Sequence, residues 1–263
     1  MIITDFYKKK MNGEKITFIT CYDYTSARIL SDTEVDGLLV GDTLAMTMYG
    51  YKDTLSATID LMCWNTQAVS RGAHNKFILG DMPFLSYRKS LSHSVSAVQK
   101  IMQAGAHAIK LEGAHGNIKL VRHLVESGIP VMGHIGLTPQ SVCAMGGYKV
   151  QGKTKESANQ IKEEAYALQE AGCFSIVLEC VPRDLAKEIT TSLSIPTIGI
   201  GAGSGTDGQV LVFQDLLGLT VGLKPKFVKT YLNGGELIQS SVNTYVQEVK
   251  SGDYPSYEYS YDN

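Results

Sequence analysis

The stretch ANQIKEEAYALQEAGCFSIVLE, residues 158–179, decides the fold of this 263-residue chain. Apolar residues in its first half share one face of a helix: Ala158, Ile161, Ala165 and Leu168. Gly172 follows where a helix end favours a left-handed backbone, which glycine adopts without a Cβ clash. The second half is a short apolar run that is typical of a buried strand. The stretch therefore predicts a helix, a glycine stop and a strand.

The same unit recurs along the chain. Gln103-Ala-Gly105 leads into the strand-like residues 108–112, and Glu126-Ser-Gly128 leads into 130–134. Further apolar runs predict the remaining strands, the last with the weakest pattern: 16–21, 37–40, 77–80, 196–200 and 219–222. Strands that alternate with helices favour a parallel sheet with right-handed crossovers.

Eight such units predict an α/β fold of the (β/α)8 TIM-barrel type, and the chain length agrees with it. We expect a single catalytic domain over residues 1–263, with residues 251–263 forming a Tyr-rich C-terminal tail. An open doubly wound sheet is the alternative that the pattern leaves open.

Composition excludes several classes of protein. Because 44% of the residues are hydrophobic, the chain as a whole is not expected to be disordered. The 24 basic and 26 acidic residues nearly balance, so the composition does not predict a basic surface for nucleic acid. No apolar run approaches the roughly 20 residues that cross a bilayer. Five cysteines without a C-x-x-C pair favour a reducing compartment. We therefore expect a cytoplasmic protein with no nucleic-acid or membrane partner.

Ionisable residues stand at the C-terminal ends of the predicted strands: Asp42, Asp81, Lys110, Glu112, His134 and Glu179. In a parallel barrel the active site is assembled on that face from the ends of several strands. Converging carboxylates repel one another unless a cation or protons intervene, and oxygen ligands suit Mg²⁺. Asp42, Asp81 and Glu112 are therefore the metal candidates. The alternative for each is to cap the following helix.

A glycine-rich segment, residues 199–205, follows a predicted strand and invites comparison with a dinucleotide-binding loop. The G-x-G-x-x-G fingerprint fails, because Ser204 stands at the third glycine position and the segment lies late in the chain. We expect no NAD site here. The glycines are expected to give backbone room for a ligand or a neighbouring loop.

Motifs along nearly the whole chain resemble those of one family, ketopantoate (3-methyl-2-oxobutanoate) hydroxymethyltransferase. They are TCYDY at 20–24, LVGDT at 39–43, DMPF at 81–84, KLEG at 110–113, GHIGLTPQS at 133–141, GGYKVQG at 146–152, LECVP at 178–182, IGIGAG at 198–203 and DGQVL at 207–211. The resemblance implies a (β/α)8 barrel, Mg²⁺ dependence, a cytoplasmic location and a homodecamer. It also implies transfer of a one-carbon unit from the co-substrate 5,10-methylenetetrahydrofolate to 3-methyl-2-oxobutanoate, which gives 2-dehydropantoate for pantothenate and coenzyme A biosynthesis.

The resemblance also implies a role for each matching residue. Asp42 and Asp81 would bind Mg²⁺, and Glu112 would complete the shell directly or through water. The oxo acid would be held by Asp42, Thr43, Asp81 and Lys110. Glu179 would be the proton acceptor, and His134 would belong to the same pocket.

Residue chemistry agrees with these roles. Mg²⁺ at a 2-oxo acid would act as a Lewis acid and stabilise the enolate formed when the C3 proton leaves. Lys110 would add a fixed positive charge, and Glu179 lies on a separate strand as a base. The loop 146–152 would act as a lid that keeps water away.

Two stretches depart from the usual family sequence. Thr43 stands where serine is usual, and Ala45 where glycine is usual, so we expect Thr43 to keep its hydroxyl contact and Ala45 to need no positive φ. The segment 112–116 lacks the usual paired glycines. The rival hypotheses are a Mg²⁺-dependent lyase or mutase of the phosphoenolpyruvate mutase and isocitrate lyase type, and a catalytically silent scaffold.

Overall fold

The computed structural model describes residues 1–220, 222 and 224–262. Eight parallel strands form a closed barrel in chain order, and the last strand pairs with the first. The strands are β1 Ile16–Thr20, β2 Gly37–Val40, β3 Phe77–Asp81, β4 Ala108–Glu112, β5 Val131–Gly136, β6 Ser175–Glu179, β7 Thr197–Ile200 and β8 Gly208–Leu211. The predicted (β/α)8 barrel is confirmed, and closure of the sheet excludes the open doubly wound alternative.

Helices connect most of the strands. They are α1 Ile3–Asn12, α2 Tyr24–Ser31, α3 Leu44–Thr47, α4 Ile59–Gly72, α5 Leu91–Gln103, α6 Ile118–Glu126, α7 Val142–Met145, α8 Lys155–Glu170, α9 Arg183–Ser192, α10 Phe213–Leu216 and α11 Gly234–Ser251. Single 3-10 turns occur at Thr54–Ser56, Pro139–Ser141 and Tyr257–Tyr259. Within the ranges that the structure describes, no helix has the length and apolar character to cross a membrane.

The eighth strand is the one that the sequence pattern misplaces. It lies at Gly208–Leu211, where its backbone pairs with β7 and β1. The weak pattern at 219–222 is wrong, since Leu219, Thr220 and Gly222 are not in a strand and Val221 lies outside the described residues. The error has a physical cause: a short loop, residues 201–207, joins β7 to β8, so the alternation of strand and helix fails there.

The chain divides into two compact units, Met1–Val212 and Phe213–Asn263. The first contains the whole barrel. In the second, Tyr254 packs edge-on against Tyr245 of α11 at 5.5 Å and lies 5.9 Å from Tyr259, measured between ring centroids. Tyr254 of the predicted tail therefore packs onto α11 and Tyr259 packs onto Tyr254, whereas Tyr257 and Tyr261 are exposed. The expectation of a single domain over 1–263 stays a prediction.

Helix α1 closes the N-terminal end of the barrel with one aromatic side chain. Phe6 is fully buried and meets Phe77 and Phe174 edge-on, each at 5.0 Å between ring centroids. These rings belong to an apolar cluster drawn from most of the strands. Aromatic pairs in this geometry add to the stability that burial supplies.

Replacement of this side chain is expected to cost stability. Phe6→Ala leaves a cavity under the barrel and should lower the free energy of unfolding by about 3–5 kcal/mol. Urea unfolding measures the loss. The matched control is Met11→Ala on the same helix, because Met11 is 83% exposed and its removal should change little. Equal stability of the two variants would contradict the role given to Phe6.

Candidate active site

Strand periodicity places the polar residues directly above the apolar core. Leu79, Ala108, Met132 and Val177 belong to the buried cluster inside the barrel. Side chains two positions further along a strand point to the same face. Those positions, closer to the C-terminal end of the barrel, are occupied by Asp81, Lys110, His134 and Glu179, with Glu112 one more step along β4. The barrel interior is therefore filled by apolar side chains towards its N-terminal end and lined by ionisable side chains towards its C-terminal end.

Lys110 and Asp81 form a buried ion pair between neighbouring strands. They are register partners in β4 and β3, and their Nζ and Oδ1 atoms are 2.9 Å apart. Both side chains are almost fully buried. Burial disfavours the charged lysine, but the charges of Asp81, Glu112 and Asp42 outweigh it and raise its pKa. Lys110 is thus held as a fixed cation inside the pocket.

His134 on β5 lies between two glutamates. Its Nε2 is 3.0 Å from Glu179 Oε2, which is within ion-pair distance, but the two groups are not aligned for a hydrogen bond. Its Nδ1 is 3.5 Å from Glu112 Oε1. Burial and the Lys110 charge lower the pKa of His134, but contacts with the two glutamates outweigh them and raise it to about 9. The imidazole therefore links the carboxylate of β4 to that of β6.

Asp42 joins the cluster from the loop after β2. Its backbone N–H donates to Asp81 Oδ2 at 3.1 Å. Asp42 is 3% exposed, and its pKa lies well above the usual value, first because of burial and then because of the charges of Asp81 and Glu112. The structure therefore brings together all four carboxylates that the sequence singles out.

The donor set at this pocket fits a hard divalent cation. Asp81 Oδ1 is buried and has no hydrogen-bond partner among the described residues, although Lys110 Nζ lies at 2.9 Å. Within that same part of the chain, no group of three or more His, Cys, Asp or Glu side chains is placed so that it could hold a metal ion by itself. Mg²⁺ commonly binds through one or two carboxylates with water and substrate as its other ligands. Asp42 and Asp81 supply such a pair, and Glu112 lies near enough to raise the pKa of both.

Thr43 opens the short helix α3 beside this cluster. Its hydroxyl lies 2.7 Å from the phenol of buried Tyr22, so either group can donate to the other. Ala45 lies inside α3, where the backbone is helical, so the expectation that it needs no positive φ is confirmed. The change from glycine therefore introduces no backbone strain at this turn.

Sequence reasoning missed two buried residues of the site. The amide of Gln140 donates to Asp42 Oδ2 at 2.8 Å, and its backbone N–H donates to Glu112 Oε2 at 3.0 Å. The phenol of Tyr87 donates to Gln140 Oε1 at 2.8 Å. Gln140 lies within the motif GHIGLTPQS, which is the signal that could have found it. Tyr87 stands in no such motif.

The glycine-rich loop after β7 makes room for a helix. A Cβ atom at Gly203 would lie 2.6 Å from Arg183 Cβ, and one at Gly205 would lie 2.8 Å from Lys187 Cβ, both on α9. Gly203 also has a φ of +76°. The neighbour that these glycines accommodate is therefore α9.

Comparison with known proteins identifies close relatives. The family model described as ketopantoate hydroxymethyltransferase matches residues 1–257. A protein of Bdellovibrio bacteriovorus named 3-methyl-2-oxobutanoate hydroxymethyltransferase is 58% identical over 259 residues, which cover 98% of each chain. Relatives of the same name from Coxiella burnetii and Francisella tularensis subsp. novicida are 58% and 54% identical, covering 97% and 99% of this chain and 96% and 98% of theirs.

Solved structures share the fold at low sequence identity. A phosphonopyruvate hydrolase in complex with oxalate and Mg²⁺ aligns with a TM-score of 0.62 at 11% identity, over 98% of this chain and 93% of that one. A 2,3-dimethylmalate lyase of the PEP mutase/isocitrate lyase superfamily aligns with a TM-score of 0.63 at 14% identity, over 95% and 85%. At such identities the likeness concerns the fold alone.

Proposed function

The chain belongs to the ketopantoate hydroxymethyltransferase family, and from this membership we propose that it transfers a one-carbon unit from 5,10-methylenetetrahydrofolate to 3-methyl-2-oxobutanoate, giving 2-dehydropantoate and tetrahydrofolate. The enzyme class that the sequence predicts, a 3-methyl-2-oxobutanoate hydroxymethyltransferase, is confirmed by its relatives. The folate donor and the chemistry below belong to the proposal, as does a place in pantothenate and coenzyme A biosynthesis. A homodecamer and a cytoplasmic location stay predictions from the resemblance.

A divalent metal ion is part of this proposal. The observation that carries it is the buried cluster of Asp42, Asp81 and Glu112, in which burial and mutual repulsion raise the pKa of both aspartates. Asp42 and Asp81 would hold Mg²⁺, and Glu112 would complete the shell directly or through water. When bound, Mg²⁺ supplies a Lewis acid for the oxygen atoms of a 2-oxo acid. The phosphonopyruvate hydrolase of similar fold was crystallised with Mg²⁺ and oxalate, which supports a cation in such a barrel.

Lys110 and Thr43 would orient the oxo acid. The ammonium group of Lys110 is buried 2.9 Å from Asp81, so it offers a preorganised positive charge to a carboxylate or a developing oxyanion. The Thr43 hydroxyl is hydrogen-bonded to the Tyr22 phenol, so it is held in position for a second hydrogen bond to the oxo acid.

Glu179 would accept the C3 proton of the oxo acid. It is the less buried carboxylate of the pocket, with a side chain 16% exposed against 4% for Glu112. His134, 3.0 Å away, would hold it in orientation. As the proton moves to the Glu179 carboxylate, the electrons of the C3–H bond enter the enolate of the oxo acid, and C3 then forms the new bond to the methylene carbon of the folate. The electrons of the broken C–N bond, with a proton, go to the folate nitrogen, and water supplies the hydroxyl oxygen of the product. General base catalysis of this kind contributes a factor of roughly 10²–10⁴ in rate.

The loop 146–152 would cover the pocket during transfer. Its glycines at 146, 147 and 152 all have positive φ, and its residue Gln151 donates from the backbone to Cys180 O at 2.9 Å, next to Glu179. The Tyr148 phenol lies 3.9 Å from Met46 Sδ. Burial first, and then nearby carboxylates that include Asp42 and Glu179, raise its pKa. The Gln151 contact beside Glu179 supports a lid, which on closing would bring the aromatic side chain of Tyr148 towards the pocket.

Removal of the Tyr148 ring is expected to slow the transfer of the one-carbon unit without slowing the removal of the C3 proton. Because Tyr148 is 54% exposed, Tyr148→Ala should keep stability within about 0.5 kcal/mol. We expect hydroxymethyl transfer to slow several-fold while C3 proton exchange without folate stays near wild type. The control is Tyr166→Ala on α8, a tyrosine of similar exposure. Unchanged transfer in the Tyr148 variant would rule out the lid.

Product analysis tests the proposed function. The protein is incubated with 3-methyl-2-oxobutanoate, 5,10-methylenetetrahydrofolate and Mg²⁺, and the organic acids are identified by mass spectrometry, with an EDTA-treated control. We expect 2-dehydropantoate, formed only when all components are present. Cleavage of 2,3-dimethylmalate in a parallel incubation, without any folate-dependent product in the first, would instead support the lyase hypothesis, and absence of both would support the silent scaffold.

A further inference from the structure

Gln140 makes four hydrogen bonds at the centre of the carboxylate cluster. It lies in the 3-10 turn Pro139–Ser141 that follows β5, and it is 7% exposed. Its side-chain Nε2 donates to Asp42 Oδ2 at 2.8 Å and to Met82 O at 2.9 Å. Its backbone N–H donates to Glu112 Oε2 at 3.0 Å. One residue thus contacts a carboxylate oxygen on each of two separate strand ends.

The orientation of the Gln140 amide is fixed by Tyr87. The backbone N–H of Glu112 can only donate, and it points to the Tyr87 phenol oxygen at 3.3 Å. The phenol proton can then donate to Gln140 Oε1 at 2.8 Å or to Glu112 O at 3.5 Å, and the much shorter contact favours Gln140. With its oxygen engaged in this way, the amide must turn its NH₂ group towards Asp42 and Met82. The contact with Asp42 is consequently a directed donor to a carboxylate.

We propose that Gln140 is a positioning residue that holds the carboxylates of Asp42 and Glu112 in place for a divalent cation. This role rests on the proposed function, because it concerns the metal site of that reaction. Outer hydrogen-bond partners fix the orientation of metal-ligating carboxylates, and their loss typically weakens metal affinity by about 10–100-fold. Tyr87 supports the same arrangement indirectly, through its hydrogen bond to the amide oxygen of Gln140.

Mg²⁺ titration of the full-length protein by calorimetry, without substrate, tests this role. Gln140→Met keeps the shape of the side chain and removes its hydrogen bonds, so we expect Mg²⁺ affinity to fall by about 10-fold or more. The backbone contact with Glu112 survives in this variant. C3 proton exchange at saturating Mg²⁺ should recover towards wild type, since no group that touches the substrate is lost.

A buried amide elsewhere gives the matched control. Asn65 on α4 is 8% exposed and donates to Leu61 O at 2.8 Å and to the Tyr49 phenol at 3.3 Å, and neither of these bonds involves a carboxylate. Asn65→Leu should cost stability and leave Mg²⁺ affinity at the wild-type value. Tyr87→Phe is the milder second variant, expected to weaken Mg²⁺ binding less than Gln140→Met, and it carries the test if Gln140→Met does not fold.

The outcomes separate this role from the proposed function. Normal Mg²⁺ affinity in Gln140→Met, or in Tyr87→Phe where that variant carries the test, overturns the positioning role alone. An equal loss in Asn65→Leu also overturns it, because the effect would then be general destabilisation. Absence of Mg²⁺ binding in the wild-type protein would overturn the proposed metal site and this role together.

Discussion

Glu179→Gln is expected to lower the rate of C3 proton removal by about 10²–10⁴-fold while oxo-acid and Mg²⁺ binding stay intact. Glutamine keeps the shape of the side chain but cannot accept the proton. Glu179 contacts His134 at 3.0 Å, on the opposite side of the imidazole from Glu112, so its charge is removed at a distance from the proposed metal ligands. Deuterium exchange at C3 measures the rate, and calorimetry measures binding.

The control for this variant is Glu170→Gln, an exposed glutamate at the end of α8 that leads into the same strand. It should leave both rate and binding at wild-type values. Loss of oxo-acid or Mg²⁺ binding in Glu179→Gln, together with the loss of rate, would rule out the base assignment, because the residue would then serve binding.

Asp81→Asn is expected to weaken Mg²⁺ binding strongly and to leave activity recoverable at high Mg²⁺. The substitution removes a charged oxygen ligand and leaves Lys110 without its partner at 2.9 Å. Breaking a buried ion pair by removing one member typically costs about 3–5 kcal/mol, so a loss of stability should accompany the loss of affinity. Activity measured over a series of Mg²⁺ concentrations reports the change.

A second aspartate–lysine pair at the other end of the barrel provides the comparison. Asp36 Oδ1 lies 2.7 Å from Lys9 Nζ, and this pair is only partly buried. Asp36→Asn should reduce stability without shifting the Mg²⁺ dependence. If the activity of Asp81→Asn recovers no better at high than at low Mg²⁺, the ligand assignment for Asp81 is wrong.

Much of the fold and the charged members of the site could be predicted from residues alone. Three helix-glycine-strand units and four further apolar runs predicted seven strands at nearly their observed places, and strand period placed Lys110 and Glu112 on one face. Asp81 and His134 followed from the same rule, because a parallel barrel gathers its strand ends at one face. These signals are local in sequence, so no knowledge of tertiary contacts was needed.

The remaining features depend on contacts that a single sequence does not display. β8 is defined by pairing with β1, nearly 200 residues away in the chain, and no helix separates it from β7. Gln140 acts through atoms of Asp42 and Glu112 that only the closed barrel brings near, so its motif marks the segment but does not show what the amide contacts. Phe6 belongs to a short N-terminal helix, and its contact with Phe77 forms only in the folded barrel. The sequence therefore does not show that this helix closes the end of the barrel.

The central claim is that the carboxylate pocket removes the C3 proton of 3-methyl-2-oxobutanoate. The most direct test is a proton NMR time course of that acid in D₂O with the protein and Mg²⁺ and without folate, beside samples containing EDTA or Glu179→Gln. The account predicts loss of the C3 proton signal with wild-type protein and Mg²⁺ only. Persistence of that signal with folded, Mg²⁺-loaded wild-type protein, or its equal loss with Glu179→Gln, would contradict it.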